Sequence, residues 1–415
     1  ILKISIQYIH EQKITGVINM KEVKYAKRMM VEGGSEISDI LALTAKPEVI
    51  SFAGGLPAPE LFPVADMKRM ANEVLDEVGT VALQYSSAQG FPKFRQQIAD
   101  RMNNKQKTNV AADDILVTSG SQQALEFSGK IFIDEGDVIL CESPTYLGAL
   151  NAFNGYGPKY IEVETDEDGM NMEALEKVLQ TTDRVKMIYV IPDFQNPTGR
   201  TWPLEKRKKF VELITKYKVV ALEDNPYGEL RYEGEFLPSL KSFDKEGYVV
   251  YLGTFSKILC PGYRLGWVCA SPEILAKYIR CKEDGDLQTS TISQLEVSRY
   301  LDECDVDAHV LEIRALYKKR RDLMLKTIEE EFPEEVKWTH PEGGLFMWVT
   351  VPESINTTEM MKKCVDNNVA YVPGVAFYPG RTKTNNFRLN YSNMDEERIV
   401  IGIKRIAEVI KNELK

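Results

Sequence analysis

The sequence predicts an α/β fold with a mainly parallel central sheet sandwiched by helices, followed by a smaller α+β domain. From about residue 110, short apolar runs alternate with longer amphipathic segments. This alternation is typical of parallel strands that are covered by helices on both faces. After about residue 300, a long charged helix precedes isolated strands. The length of 415 residues, with 43% hydrophobic residues, allows more than one domain.

The N-terminal part is predicted to be an extension and arm. The segment "SEISDILALT" has the pattern of a short helix with Ser35 as its cap, and it precedes "SFAGGLPAPELFP". We assign residues 1–60 to this extension, 61–300 to a large domain and 301–415 to a small C-terminal domain.

The elements of the large domain follow one another as strand and helix. The strand in "DILVTSG" leads into the helix "SQQALEFSGKIFI", and the strand in "DVILCESP" leads into "TYLGALNAFNG". The strand in "VKMIYVIPD" precedes the helix "PLEKRKKFVELITKYK", and two further strands lie in "VVALEDNPYG" and "GYVVYLGTFS". This order predicts a mainly parallel sheet.

The small domain begins with the helix "DVDAHVLEIRALYKKRRDLMLKTIEEEF". Strands are predicted around "GGLFMWVTV", "VAYVPG" and "NFRLNYS". Isolated strands beside one long helix are typical of an α+β unit that packs on a larger domain.

Composition favours small-molecule chemistry. The formal net charge of -10 argues against a general binder of nucleic-acid backbones, which relies on clustered cations. The six cysteines and three histidines are dispersed, so we predict no metal site and read the cysteines as reduced thiols of a cytoplasmic protein. No run is long and apolar enough for a membrane span, and the N-terminus lacks the pattern of a signal peptide.

An anion site is predicted where the strand "ILVT" meets the next helix. Backbone N–H groups at a helix N-terminus attract anions, and a glycine lets a phosphate come close. A tight turn followed by an ordinary helix with a serine cap would have the same sequence pattern. The residues at this junction are Ser119, Gly120, Ser121 and Gln122.

Further polar residues follow the ends of the other strands. Asn196 lies in "IPDFQNPTG", Asp224 and Tyr227 in "ALEDNPYG", and Lys257 in "YLGTFSKILCPGYRLGWV". Open α/β sheets bind ligands at this edge, although an Asn-Pro loop and a solvated acidic pair are the plainer readings of the first two stretches. A lysine, a carboxylate, a phenol, an amide and a phosphate cradle together match what pyridoxal phosphate requires.

The stretch "TFSKILCPGYRLGW" resembles the lysine signature of class I aminotransferases, which are fold-type I pyridoxal phosphate enzymes. The similarity continues through "SFAGGLPAPELFP", "LQYSSAQGFPKFR", "TSGSQQAL", "QNPTG", "EDNPYGELRY", "EGGLFMWV" and "NFRLNYS", over roughly residues 35 to 410. The motifs "FAGGLPAPELFP" and "TSGSQQAL" are similar to those of the 2-aminoadipate and aromatic aminotransferase branch. The resemblance implies pyridoxal 5'-phosphate as cofactor.

The resemblance also implies a role for each residue around the cofactor ring. Lys257 matches the Schiff-base lysine and proton shuttle, and Asp224 matches the partner of the pyridine nitrogen. Asn196 and Tyr227 match the partners of the ring hydroxyl, and Tyr146 in "SPTYLGA" matches the aromatic residue that stacks on the ring.

The phosphate and the substrate have their own matching residues. Tyr85 matches a tyrosine that reaches the phosphate across a dimer interface, which implies a homodimer, and Arg388 matches the arginine that binds the substrate α-carboxylate, assisted by Asn196 and the backbone near Gly55. A planar guanidinium suits a carboxylate because it offers a fork of donors. The residues that match the phosphate cup are Ser121, Gln122, Thr254, Ser256 and Arg264.

One departure bears on the substrate. In 2-aminoadipate enzymes of this branch, a short N-terminal helix can supply an arginine to an acidic side chain, but here that helix reads "SEISDIL", with Ser38 and Asp39. The activity that the resemblance implies is that of a ping-pong amino acid:2-oxo acid aminotransferase, with 2-oxoglutarate as acceptor and broad or aromatic or 2-aminoadipate-like donors; the missing arginine puts strict specificity for acidic donors in doubt. The alternatives are a pyridoxal phosphate-dependent lyase or decarboxylase and a non-catalytic regulator module, for which the roughly 34 residues before the first match are too few to form a DNA-binding domain.

Overall fold

A computed structural model of the chain describes residues 24–29 and 48–415. Residues 24–29 belong to one compact unit, within which Lys27–Met29 form a single 3-10 turn. Residues 48–415 belong to the second unit, to which the following description applies. The "SEISDILALT" helix, with Ser35, Ser38 and Asp39, lies outside the described residues.

The second unit alternates strands and helices along most of its length. Its strands are β1 Ile50–Ser51, β2 Ile115–Thr118, β3 Val138–Glu142, β4 Lys159–Val163, β5 Thr165–Asp166, β6 Gly169–Met170, β7 Val185–Val190, β8 Val220–Asp224, β9 Val249–Thr254, β10 Gly266–Cys269, β11 Lys337–Trp338, β12 Phe346–Thr350, β13 Val369–Ala370, β14 Val372–Pro373 and β15 Asn386–Asn390. Its helices are α1 Val64–Ala82, α2 Pro92–Lys105, α3 Ser121–Phe132, α4 Leu147–Asn154, α5 Met172–Thr181, α6 Leu204–Tyr217, α7 Pro272–Gly285, α8 Thr291–Glu303, α9 Val306–Glu331, α10 Thr357–Asp366 and α11 Glu396–Glu413.

The central sheet has seven strands in the order β2-β10-β9-β8-β7-β3-β4. The pairs from β9 to β4 are parallel, whereas β10 runs antiparallel to both β9 and β2. The predicted mainly parallel α/β sheet is thus confirmed. Strand β4 and the antiparallel direction of β10 are not predicted by the sequence pattern.

Both faces of this sheet are buried, as the continuous apolar strands predict. On β7, Ile188 and Val190 join a core with Phe210 of α6, while Met187 and Tyr189 point into the larger core on the other face. Each fully buried apolar side chain of this kind contributes about 1.5–3 kcal/mol relative to exposure.

A second sheet of four antiparallel strands, in the order β11-β12-β15-β14, lies in the C-terminal part with α9, α10 and α11. The long helix α9 begins after Asp305, whose side chain accepts the N–H of Ala308 at 2.9 Å and so satisfies a free donor of the first turn. The predicted boundary between the large domain and the small C-terminal domain, at residues 300 and 301, stays a prediction.

The segment after residue 48 ties the N-terminal side to the C-terminal part. Strand β1 pairs in parallel with β13, and the buried Phe52 donates its N–H to Ala370 at 2.8 Å. Residues 53–56 therefore continue to the edge of the central sheet, where Gly55 meets Lys257.

That edge collects most of the residues expected to carry chemistry. The carboxyl ends of β2, β3, β7, β8 and β9 share it, and the amino end of the antiparallel β10 shares it too. Loops that start at these ends therefore converge on one place.

Two features are absent from the part of the chain that the structure describes. None of its helices has the length and apolarity that crossing a membrane requires. Within residues 24–29 and 48–415, no group of three or more histidine, cysteine, aspartate or glutamate side chains is arranged to hold a metal ion.

Candidate active site

A cavity of about 440 Å³ opens at the converging strand ends. Its floor is buried, and its outer side, at Gln122 and Arg264, is exposed to solvent. The structure brings twelve of the predicted residues together in its lining: Gly55, Ser121, Gln122, Tyr146, Asn196, Asp224, Tyr227, Thr254, Ser256, Lys257, Arg264 and Arg388.

Three predicted residues lie elsewhere. Gly120 stands behind Arg264, and the hydroxyl of Ser119 donates to Asp286 at 3.2 Å instead of facing the cavity. Tyr85 lies on the surface and is 78% exposed.

The outer side of the cavity gathers donors for an anion. Ser121 begins α3, whose first N–H groups have no partner within the helix. Gly120 has a φ of 77°, and a side chain there would clash with the guanidinium of Arg264, so only glycine permits this approach. Across from the helix, the hydroxyl of Thr254 donates a hydrogen bond to the hydroxyl of Ser256 at 2.9 Å. A phosphate fits these donors.

At the floor, Asp224 ends β8 beside the neighbouring strand β7. The hydroxyl of Tyr189 donates to Asp224 Oδ2 at 2.8 Å, whereas the buried Oδ1 has no hydrogen-bond partner. Burial raises the pKa of Asp224 to about 7, and the hydrogen bond from Tyr189 acts in the opposite direction. A buried carboxylate oxygen without a partner is costly, so it fits a ligand that brings a cationic N–H.

Lys257 follows β9 and shares the cavity lining with two other cations, Arg264 and Arg388. Its Nζ donates to the carbonyl of Gly55 at 2.7 Å. Burial, followed by repulsion from Arg388 and Arg264, lowers the pKa of Lys257 to about 8. Near neutral pH a usable share of this amine is therefore unprotonated, as a nucleophile or base requires.

Arg388 lies on β15 and points into the cavity from the C-terminal part. Its Nη1 donates to Asn196 Oδ1 at 2.8 Å and its Nη2 to the carbonyl of Ala53 at 2.6 Å. The guanidinium stacks 4.2 Å from the ring centre of Phe346, and burial lowers its pKa to about 10. The backbone near Gly55 lines the same cavity, and its expected part in holding the substrate carboxylate stays a prediction.

The two tyrosines are held by packing. Tyr146 stands directly before α4, where a side chain on Gly148 would clash with its ring. The Tyr227 ring meets Phe346 edge-on at 5.9 Å. Burial raises the pKa of both phenols, so each is a neutral hydrogen-bonding group at physiological pH.

Sequence reasoning missed Tyr189 and Phe346 as parts of the site. Tyr189 stands in the largely apolar strand "VKMIYV", and the signal that could have found it was its hydroxyl, because a buried phenol needs a partner. Phe346 lies within "GGLFMWVTV", and nothing in its spacing indicated an arginine above its ring.

The chain is similar to known aminotransferases along nearly its whole length. A family model described as aminotransferase class I and II matches residues 49–406. Aromatic-amino-acid aminotransferase 1 of Thermococcus litoralis is 46% identical over 95% of each chain, and 2-aminoadipate transaminase of Thermus thermophilus is 39% identical over 91% of this chain and 94% of that protein. The crystal structure of kynurenine aminotransferase from Pyrococcus horikoshii has a TM-score of 0.91 at 43% identity, covering 94% of this chain and 98% of that one.

Proposed function

Since the chain belongs to the aminotransferase class I and II family and is a pyridoxal phosphate-dependent aminotransferase, we propose that it works in two half-reactions. The amino group of an α-amino acid is transferred to a 2-oxo acid, with 2-oxoglutarate as the acceptor. The observation that carries this proposal concerns two of the three cations that line the cavity, Lys257 and Arg388, which lie deeper than the exposed Arg264. The recorded hydrogen bonds of Lys257 and Arg388 go to carbonyl and amide oxygens, and no described carboxylate pairs with either cation. One cation therefore serves for chemistry and the other for the substrate carboxylate.

The described residues fit the cofactor. The unpartnered Oδ1 of Asp224 suits the ring N–H, Asn196 and Tyr227 suit the ring hydroxyl, and Tyr146 suits the ring face. When bound, pyridoxal phosphate supplies an electron sink for the bond that breaks at the substrate Cα. The residues that suit its phosphate are Ser121, Gln122, Thr254, Ser256 and Arg264.

Arg388 orients the substrate. Phe346 and Phe377, whose ring centres lie 4.2 and 5.1 Å away, keep the guanidinium plane in place. The Nε of Arg388 is buried and has no hydrogen-bond partner. Folding has therefore already removed water from this N–H, and a substrate carboxylate can accept its hydrogen bond without a further desolvation cost to the arginine. A carboxylate gripped in this way leaves the Cα–H bond as the one that breaks, which favours transamination over loss of carbon dioxide.

Lys257 moves the proton. Its lowered pKa leaves Nζ able to accept a proton from the substrate Cα near neutral pH and to return it afterwards. The same lysine is the attachment point that the resemblance assigns to the cofactor, so we propose it as the catalytic base.

The donor side chain is proposed to be neutral, above all aromatic. Apolar side chains of Leu56, Leu147 and Val372 line the cavity. The described cations of the lining are already assigned to the cofactor, the proton or the substrate α-carboxylate, so none of them is left to bind an acidic side chain. The names of the relatives point to aromatic amino acids, 2-aminoadipate and kynurenine as their own substrates. Ser38 and Asp39, on which the expectation of breadth also rested, lie outside the described residues.

We further propose that the active unit is a homodimer in the cytoplasm. The phosphate side of the cavity is open at Gln122 and Arg264, which leaves room for Tyr85 of a second copy. All six cysteines are free, which suits a reducing compartment.

The test is a product assay on the holoenzyme with a panel of amino donors and 2-oxoglutarate. We expect equal amounts of glutamate and of the donor's 2-oxo acid, with kcat/KM values for neutral and aromatic donors within about 10 to 200-fold of one another. Release of ammonia or carbon dioxide instead would indicate a lyase or a decarboxylase. A preference for acidic donors above roughly 10⁴-fold would contradict the proposed donor class.

A further inference from the structure

Four polar side chains form a connected cluster behind the phosphate turn: Ser119, Gln123, Lys282 and Asp286, here called the Lys282 cluster. Lys282 Nζ donates to Gln123 Oε1 at 2.8 Å, to Asp286 Oδ2 at 2.8 Å and to Ser119 Oγ at 3.4 Å. Asp286 Oδ2 also accepts from Ser119 Oγ at 3.2 Å and from Gln123 Nε2 at 2.9 Å. All three ammonium donors of Lys282 are therefore used within the cluster.

The cluster is costly to bury. The Lys282 side chain is 0% exposed, while that of its partner Asp286 is 33% exposed. Desolvation lowers the pKa of Lys282, against the effect of Asp286. A buried ammonium paired with a partly exposed carboxylate is a poor stabiliser compared with apolar side chains of the same volume, but each of its hydrogen bonds restrains a neighbouring group. The cluster therefore calls for a role in positioning.

What the cluster positions is the turn between β2 and α3. Ser119 is held by its backbone N–H, which donates to Gln123 Oε1 at 2.9 Å, and by its hydroxyl. The carbonyl of Gly120 accepts from Thr118 Oγ1 at 3.0 Å. The Lys282 cluster thus grips the turn from the side that faces away from the cavity.

The opposite side of the turn is in contact with β10. A Cβ on Gly266 would lie 2.7 Å from both Gly120 C and Ser121 N, so the strand touches the turn directly. Arg264 packs against Gly120 on the cavity side. Held between these contacts and the Lys282 cluster, the turn sets the direction in which Ser121 and the first N–H groups of α3 point.

We propose that Lys282 and Asp286 are positioning residues for the cofactor phosphate, acting through Ser119 and Gln123 to aim the N-terminus of α3. This inference rests on the proposed placement of the phosphate at Ser121 and Arg264. Ser119 then contributes through the position of the turn and does not touch the phosphate. A misplaced donor array weakens phosphate binding but leaves the ring contacts of the cofactor unchanged.

The experiment compares two ligands that differ only in the phosphate. The chain, freed of cofactor, is titrated with pyridoxal 5'-phosphate and with pyridoxal, and the dissociation constants are measured for wild type and Lys282→Met. We expect Lys282→Met to weaken pyridoxal 5'-phosphate binding about tenfold or more and pyridoxal binding less than about twofold. Ser119→Ala, which keeps the ion pair, should show a smaller loss with the same selectivity; it carries the test if Lys282→Met does not fold.

Two control variants make the outcomes distinct. Arg280→Gln removes an i,i+4 ion pair with Asp284 on the same helix, at side chains 71% and 48% exposed, and should leave both constants unchanged. Arg264→Met should remove the advantage of the phosphorylated ligand; if it does not, the proposed phosphate placement is wrong. If Arg264→Met removes that advantage while Lys282→Met weakens both ligands equally or neither, the positioning role is overturned.

Discussion

Tyr189 donates its hydroxyl hydrogen to Asp224 Oδ2 at 2.8 Å, and the second oxygen of the same carboxylate is buried without a partner. The two residues stand on neighbouring parallel strands, β7 and β8. Tyr189 therefore stabilises the charged form of a carboxylate whose burial raises its pKa to about 7. One oxygen is oriented by the protein, and we propose the other as the partner of the cofactor nitrogen.

Asp224→Asn should nearly abolish turnover while the cofactor still binds. The amide cannot offer a negative charge to the ring nitrogen, and a pair of charges near 4 Å is worth about 4 kcal/mol at the effective dielectric of a protein, or about 10³-fold in rate. Single-turnover kinetics with an amino donor measure this loss. Tyr189→Phe keeps the charge and should cost at most about 10²-fold; an Asp224→Asn enzyme of near-normal rate would remove the pyridine-nitrogen assignment.

Replacing Lys257 should stabilise the cofactor-free chain at neutral pH. Its pKa is lowered from 10.5 to about 8, so below pH 8 the folded chain keeps a charge that it buries at a cost. Between pH 8 and 10.5 the folded chain loses this proton while the unfolded chain keeps it, so the stability of the wild type rises with pH.

Lys257→Met removes that cost. In urea titrations of the cofactor-free chain we expect it to be more stable than wild type at pH 7, by at most about 3 kcal/mol because cavity water screens part of the charge. The difference should shrink towards pH 10.5. Lys277→Met, at an exposed lysine, should show no such trend. A Lys257→Met difference that does not vary with pH would contradict the lowered pKa.

Much of the site could be predicted because it depends on strand ends. Asn196, Asp224 and Lys257 each follow an apolar run, and parallel strands bring their carboxyl ends to one edge. Arg388 came from resemblance alone, since its strand lies in the other sheet and no local pattern relates it to the cavity.

Contacts set by packing could not be predicted. The bond from Tyr189 to Asp224 depends on the register of two strands, and the guanidinium of Arg388 above Phe346 depends on how the second sheet meets the first. Ser119 shows the same limit: the junction pattern predicts an anion site, yet it does not tell which side chains of the turn face away, towards Asp286.

Arg388→Lys should lower kcat/KM for amino acids about 10²-fold or more, because an ammonium cannot keep the fork of contacts to Asn196 and Ala53 while binding a carboxylate. The sharpest readout is selectivity between phenylalanine and the amine that lacks its carboxylate. Wild type should prefer the amino acid strongly, and the variant should lose most of this preference. Arg398→Gln, at a side chain 56% exposed, is the matched control; an unchanged preference in Arg388→Lys would mean that the carboxylate binds elsewhere.

The proposed role of Tyr85 links assembly to cofactor binding. Tyr85 is 78% exposed, and its neighbours Leu83 and Val81 are 74% and 54% exposed, so this apolar surface suits a second copy. Leu83→Glu should weaken the dimer in sedimentation and, in parallel, lower the affinity for pyridoxal phosphate; Tyr85→Phe should lower that affinity without changing the assembly. A fully active monomer at assay concentration would rule out a shared active site.

The most direct test asks where the cofactor is attached. The holoenzyme is reduced with borohydride and digested, and the peptide that carries the cofactor is identified by mass spectrometry, with Lys257→Ala treated in the same way. We expect the yellow colour to disappear on reduction, the cofactor to be found on Lys257, and the folded Lys257→Ala variant to show neither label nor turnover. Cofactor on any other lysine, or turnover in Lys257→Ala, would contradict the proposed active site.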